Sequence, residues 1–471
     1  MDPRLLEAFA LRALPVAGLA AGELPDLGSL LVGLRDRRGL AALDSAAGSP
    51  ADWSWVAFEP REELPSLPAE LAALDDWLAA APRLGGSVPG PFAGGFLGAL
   101  GYDAGAPGEE QSLPPDPWGQ PALVGGLYTR FFVFDHRERR LHLVLDPAAE
   151  IERAGLEELA RRALAAPAQP RRTVAGPLER LVPGARHRER VETARRLIHA
   201  GELYQANLAH PFEAELDGDP LDLYLRLREE NPAPYMGYLR WAGGAILSAS
   251  PELLLEVEGR DLRTRPIKGT APRGATREED ERRARELHAS EKDRAELAMI
   301  VDLMRNDLGR VAEIGSVRVE SAWPRLRSYE GLHHLMADVH GQLAEGRSAL
   351  DALAACFPAG SITGAPKLRA MEVIARLEGR GRGFFCGSLG FLDRRGNARF
   401  NVLIRTIEWR PEPAQGAGAG RVRYQVGGGI TFASDAEAEE RETLLKGARL
   451  AGVLGARVPG KGEPEAWDGA L

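Results

Sequence analysis

The sequence predicts an α+β fold of largely antiparallel sheets packed against each other and flanked by helices. Three observations carry this. Hairpin-like strand pairs recur along the chain, and long helical segments interrupt them. The order never settles into the βαβαβ alternation of a doubly wound sheet.

Residues 1–165 read as short strands and helices broken by Gly and Pro. FFVFDHRERRLHLVLD (131–146) is a strand, a polar turn and an alternating strand, hence a hairpin. IERAGLEELARRALAA (151–166) has helical spacing. PAQPRRTVAGP (167–177) is proline-rich and polar, and separates an N-terminal region, 1–170, from a second region, 180–452. RHRERVETARRLIHAGELYQANLAHPFEAEL then gives a helix stopped at Gly201 and a strand. GGAILSASPELLLEVEGRDLRTRPIKGTAPRG reads as two strands joined by a turn at Gly259-Arg260-Asp261. REEDERRARELHASEKDRAELAMIVDLMRNDLGRV is strongly helical. GRVRYQVGGGITF is a strand ending in glycines, and the charged DAEAEERETLLKGARLAGVL after it is a helix. PEPAQGAGAG (411–420) reads as a flexible hairpin tip, and 453–471 as a loose tail.

Composition narrows the function. There are 471 residues, with 59 Lys+Arg against 68 Asp+Glu and a net charge of −9, which argues against a nucleic-acid-binding surface. No apolar run approaches the 18 or so residues of a membrane span, and the N-terminus lacks the apolar core of a secretory signal. Cys356 and Cys386 cannot form a disulfide framework, so a cytoplasmic protein is expected. Only five lysines occur: Lys268, Lys292, Lys367, Lys446 and Lys461. Every other basic residue is arginine. A lysine retained under such pressure is a candidate for work that a permanently charged guanidinium cannot do.

Three kinds of segment could hold chemistry: acidic helix faces, glycine-rich turns and a lysine between Pro and Gly. Glu296 precedes an apolar helical run, and Glu439 and Glu442 share one helix face. Carboxylates from two helices suit a hard divalent ion such as Mg2+, although a solvated helix face carries the same pattern. PAGSITGAPK (358–367) is a turn ahead of a helix that suits a carboxylate or phosphate; it lacks the spacing of a P-loop. VGGGI (426–430) lets backbone approach a ligand, and either glycine segment could be an ordinary tight turn. PIKGT (266–270) flanks a lysine with Pro and Gly. A lysine is a nucleophile only when neutral, which needs a dry or cation-rich site.

SASPELLLEV, PIKGTAPRG, DRAELAMIVDLMRNDLGRV, HHLMADVHGQL, FPAGSITGAPKLRAMEVI, NVLIRT and VGGGI with AEERETLLK, in that order, resemble the chorismate-utilising enzymes. These include the large subunits of anthranilate synthase and aminodeoxychorismate synthase, and the isochorismate and salicylate synthases. The likeness is dense over 180–450 and looser in GLAALDSA and PFAGGFLGALGYD. It implies an anthranilate-synthase-component-I-like fold. Anthranilate synthases typically read PIAGT where this chain reads PIKGT, so Lys268 and SEKDRAE resemble aminodeoxychorismate synthase component I. Gln205 stands where isochorismate synthases carry a lysine base. NPAPYMGYL reads like anthranilate synthase, which is the alternative, and a non-catalytic glutaminase- or tryptophan-binding protein is a third reading.

The resemblance implies roles residue by residue. Lys268 would be the nucleophile and Glu252 the acid, with His334 in the active site. Gly269, Thr270, Thr363, Arg405, Gly427, Gly428, Gly429 and Lys446 would bind chorismate. Mg2+ would sit at Glu296, Glu442 and Glu439, with Asp293 helping through water. Phe391 replaces a family tyrosine, so one hydroxyl contact is expected to be missing. No ammonia-producing motif is evident, which implies a separate glutaminase subunit in a heterodimer. Ser45, Pro234, Tyr235 and Met236 match a tryptophan-binding site. The product would be 4-amino-4-deoxychorismate, for para-aminobenzoate and folate biosynthesis.

Overall fold

The computed structural model describes residues 9–16, 24–46, 53–64, 71–80, 84–85, 87–105, 113–165, 169–320, 323–329, 332–412 and 419–459. Most of the expected tip at 411–420, and the tail from 460 onward, lie outside these. Two large antiparallel sheets pack face to face. The first runs Gln205–Asp217, Ala419–Ile430, Thr406–Pro411, Gly244–Ser250, Tyr235–Trp241, Ala41–Asp44, Trp53–Ala57, Phe131–Asp135, Arg140–Leu145, Arg12–Pro15. The centre of the second runs Asp261–Arg265, Leu253–Glu258, Ala398–Asn401, Ser388–Asp393, Gly95–Leu100, Leu123–Tyr128. The N-terminal and second regions both contribute strands to both sheets: Ala41–Asp44 pairs with Tyr235–Trp241, and Gly95–Leu100 with Ser388–Asp393.

Alternation along the strands fills apolar layers between and outside the two sheets. Trp55, Phe92, Phe131, Leu239 and Phe391 lie between the sheets, each buried. Burying a Phe-sized side chain stabilises by about 1.5–3 kcal/mol, so this layer clamps the sheets together. Leu30, Leu31, Leu221 and Leu450 pack helices on the outside of the first sheet, and Leu297, Ile300 and Leu353 pack helices on the second.

The stretch expected as two strands is four: Gly244–Ser250, Leu253–Glu258, Asp261–Arg265 and Ile267–Pro272. Pro251 and Pro266 have no N–H to give a ladder, so the chain leaves its sheet at each. At Pro251 it passes from the first sheet to the second. At Pro266 it passes from the second to a small third sheet, Ile267–Pro272, Leu332–Met336, Arg325–Tyr329. The helical stretch from 277 is two helices, Arg277–Ala289 and Glu291–Gly309. Ser290 ends the first and caps the second, its Oγ accepting from the Asp293 N–H.

Candidate active site

The two sheet crossings carry the two most chemically interesting groups. Glu252 directly follows Pro251 and is only 3% exposed. Burial raises its carboxyl to about 7, against the opposing pull of Ser361 and the Lys268 charge. Ser361 Oγ donates to Glu252 Oε1 at 2.5 Å. Lys268 follows Pro266 and Ile267, and its Nζ donates to the Ser361 carbonyl at 3.0 Å. The ammonium is pushed below its usual range by burial, with Glu296 opposing and Lys446 assisting. Gly269, at φ +74, is the unpaired residue of a bulge between Lys268 and Thr270. A bulge re-aims its neighbour, and a Cβ on Gly269 would come within 3.0 Å of Asp293.

The glycine strand forms the next wall. Thr406–Pro411 covers Ala419–Ile430 only as far as Tyr424, which leaves 425–430 unpaired on that edge among the described residues. A Cβ on Gly429 would lie 2.8 Å from Gln205 Nε2 and 3.3 Å from Lys268 Nζ, and one on Gly428 3.0 Å from Glu439 Oε2. One on Gly427 would lie 2.7 Å from Asn207 Oδ1. These glycines therefore serve close approach of side chains to backbone. Gln205 is fully buried beside them, and neither end of its amide has a partner among the described residues.

Acids approach from two helices, as expected. Glu296 lies on Glu291–Gly309, and Glu439 and Glu442 on Ala436–Val453. Burial raises Glu296, while Lys268 and Lys292 pull it down and Asp293 and Glu442 push it up. Glu439 is buried, accepts from Ser434 Oγ at 2.7 Å, and is likewise raised by burial. Glu442 pairs with Lys446 at 2.7 Å, which lowers it. Among the described residues, no three acids, histidines or cysteines converge into a ready-made metal cage. Glu296, Glu439 and Glu442 supply the oxygen ligand type that a hard cation takes.

Two residues after Lys268, Thr270 stands opposite His334, whose Nδ1 lies 3.3 Å from Thr270 Oγ1. His334 is buried and its Nε2 has no partner among the described residues. Burial first, then Arg405 and Arg449, drive it well below the usual range, so the imidazole is neutral. Arg405 holds a left-handed backbone, φ +51, and is lowered to about 10 by burial and by Arg449. Both arginines line a cavity with His334, Pro251, Tyr329 and Asn231.

Other expected residues are elsewhere. Thr363 is buried and its Oγ1 donates to the Ala359 carbonyl at 2.6 Å, inside the turn. Lys446 is exposed at the rim, its Nζ 3.3 Å from the Gly427 carbonyl. Phe391 points into the inter-sheet layer, against Trp55 and Phe92. Ser45, Pro234, Tyr235 and Met236 line a second cavity with Trp53 and Asn401, and Pro234 also lines the cavity of Arg405 and His334. Three neighbours of the site were not foreseen in this role. Ser361 had a signal in its Ser/Thr-rich turn, and Lys292 in the lysine count, but nothing marked Arg449.

Residues 47–452 match the family of chorismate binding enzymes. The chain belongs to that family. It is 41% identical over 423 residues to anthranilate synthase component 1 of Streptomyces coelicolor, covering 85% of this chain and 80% of that protein. It is 39% identical over 363 residues to aminodeoxychorismate synthase component 1 of Escherichia coli, covering 76% and 77%. The crystal structure of anthranilate synthase component I from Streptococcus pneumoniae superposes with a TM-score of 0.72 at 30% identity, over 86% of this chain and 93% of that one. This chorismate-utilising enzyme thus has the fold its motifs implied. Its relatives divide between two activities at similar identity.

Proposed function

We propose that the chain is the large subunit of an aminodeoxychorismate synthase. The observation that carries this is the pairing of Lys268 and Glu252 through Ser361: an amine biased toward neutrality beside a carboxyl that holds its proton near pH 7. Lys268 Nζ attacks C2 of chorismate. The ring double bond shifts, the C4–O bond breaks, and Glu252 donates its proton so that the oxygen leaves as water. Ammonia then bonds to C4, the double bond returns, and the Lys268 amine is expelled. The sum is chorismate plus ammonia to 4-amino-4-deoxychorismate plus water.

Glu296, Glu442 and Glu439 would hold Mg2+, which when bound neutralises the ring carboxylate and draws charge from the ring. The backbone of Gly427–Gly429 faces that end, and Arg405 takes the side-chain carboxylate. Ammonia comes from glutamine through a partner glutaminase. The cavity at Ser45 and Tyr235 takes tryptophan.

One observation favours anthranilate synthase instead. His334 has a buried Nε2 without a partner among the described residues, a polar group free to meet the ring during loss of the enolpyruvyl group, although burial weakens it as a base. Product analysis from chorismate, Mg2+ and ammonium decides. Retention of the enolpyruvyl group supports the proposal, and fluorescent anthranilate as the main product overturns it.

A further inference from the structure

We propose that Lys367 is a positioning residue: paired with Asp307, it braces the turn of Ser361 so that this one residue holds both Glu252 and Lys268. This rests on the reading of Glu252 as the acid and Lys268 as the nucleophile.

Charge placement carries it. Lys367 is the first residue of the helix Lys367–Glu378, which has no side-chain cap. The positive end of the helix dipole repels a cation there. Asp307 lies in the last turn of Glu291–Gly309, where the negative end repels an anion. Each charge is thus at the unfavourable end of its own helix, and the two side chains are only 13% and 3% exposed. They satisfy each other. Lys367 Nζ donates to Asp307 Oδ2 at 2.7 Å and to the Cys356 carbonyl at 3.0 Å. Neither helix is helped by its own charge, so what the pair supplies is a tie between the two. A lysine kept here in a chain of arginines suits that task, because a compact three-donor ammonium seats between a carboxylate and a carbonyl.

The tie falls where the site needs it. Lys367 and the Cys356 carbonyl bracket residues 357–366, and Ser361 lies between them. The turn packs closely on Glu291–Gly309, for a Cβ on Gly360 would strike Leu303 and Met304. Apolar packing is non-directional, whereas the ion pair fixes where the turn sits along the helix. On the other side, Gly364–Ala365 pairs with Gln205 and Ala206 of the first sheet. The groups facing Glu252 are Ser361, Lys268, the Ile267 N–H and Cys386. Of these, Ser361 is the one carried by the braced turn.

The test uses the full chain and reads the pH dependence of kcat. Lys367→Met combined with Asp307→Asn removes both charges, so no lone charge is left buried. The turn should loosen and Ser361 should release Glu252, whose carboxyl then rises, because the Ser361 hydroxyl lowers it. The alkaline limb of kcat should move up by about half a pH unit or more, with kcat about tenfold lower and chorismate KM within about threefold. Added to Ser361→Ala, the same double substitution should move the limb no further, since both act through one hydroxyl. Asp307→Asn alone, in which Lys367 keeps the Cys356 carbonyl, should shift the limb the same way by less, and it serves where the double variant does not fold. A limb at the wild-type pH in the folded variants, or a shift that adds fully to that of Ser361→Ala, overturns the proposal. If wild type turned over no chorismate, the enzymatic reading would fail. NMR titration of the Glu252 carboxyl, assigned with Glu252→Gln, would then decide the brace: a raised titration in the charge-free variant upholds it, and an unmoved one overturns it.

Discussion

Glu252 and Lys268 are held by opposite ends of one residue: Ser361 Oγ donates to the Glu252 carboxyl at 2.5 Å, and the Ser361 carbonyl accepts from Lys268 Nζ at 3.0 Å. An acid and an amine placed directly together in a dry site would form an ion pair. Separating them through Ser361 lets each keep the protonation state the proposed reaction needs.

Ser361→Ala should therefore move the chemistry without removing it. The hydroxyl lowers Glu252, so its loss raises the carboxyl further above about 7. The alkaline limb of kcat should shift to higher pH, because Glu252 acts protonated. The Lys268 contact is to backbone and survives. A pH–rate profile that does not move would disconnect Ser361 from the acid.

Glu252→Gln should cut turnover by about 10²–10⁴-fold, the usual worth of a positioned acid. The same variant tests stability. The folded carboxyl titrates near 7, above its ordinary 4.5, so the native state holds a proton that the unfolded chain has released. The contribution of this group is present below about 4.5 and is lost as pH rises to about 7. Urea midpoints at pH 5 and pH 8 should differ less in Glu252→Gln than in wild type.

Lys268→Arg should lose nearly all formation of 4-amino-4-deoxychorismate, because charge is kept and nucleophilicity is not. Mass spectrometry of trapped wild-type enzyme should find chorismate less water on the peptide containing Lys268. Near wild-type turnover by the arginine variant would reduce Lys268 to an electrostatic role.

Chelation with EDTA should stop turnover, and Glu296→Gln or Glu442→Gln should do the same while the melting temperature stays near wild type. Glu442 is the more exposed and is already paired with Lys446, so its substitution should cost the fold little. In wild type, Mg2+ with chorismate should raise the melting temperature more than either alone. Full activity in EDTA would remove the metal from the reading.

The isolated chain should use ammonium salts at raised pH, where ammonia is neutral, and should not use glutamine until a glutaminase is added. Release of glutamate from glutamine by the pure chain would contradict a separate partner.

Lys268 and Lys292 both act on Glu296, Lys446 pairs with Glu442, and Lys367 makes a buried pair with Asp307 at 2.7 Å. Lys461 lies outside the described residues. The two strands read from 243–274 were a miscount with a plain cause. Periodicity records which face of a strand is apolar and not which sheet the strand joins. Pro251 and Pro266 were visible, but only the sheets show that each marks a crossing.

What the sequence by itself determined is what depends on local order: the antiparallel α+β class, the helix carrying Glu439 and Glu442, the lysine between Pro266 and Gly269, and the ordered motifs of the chorismate binding family. What only the tertiary structure decided is which groups meet. Ser361 reaches Glu252 across 109 residues. Arg449 approaches Arg405 and His334 from a different part of the chain. The Glu252 carboxyl is raised because the packed chain excludes water from it. Desolvation and contact between distant residues are properties of the packed chain, and no local pattern encodes them.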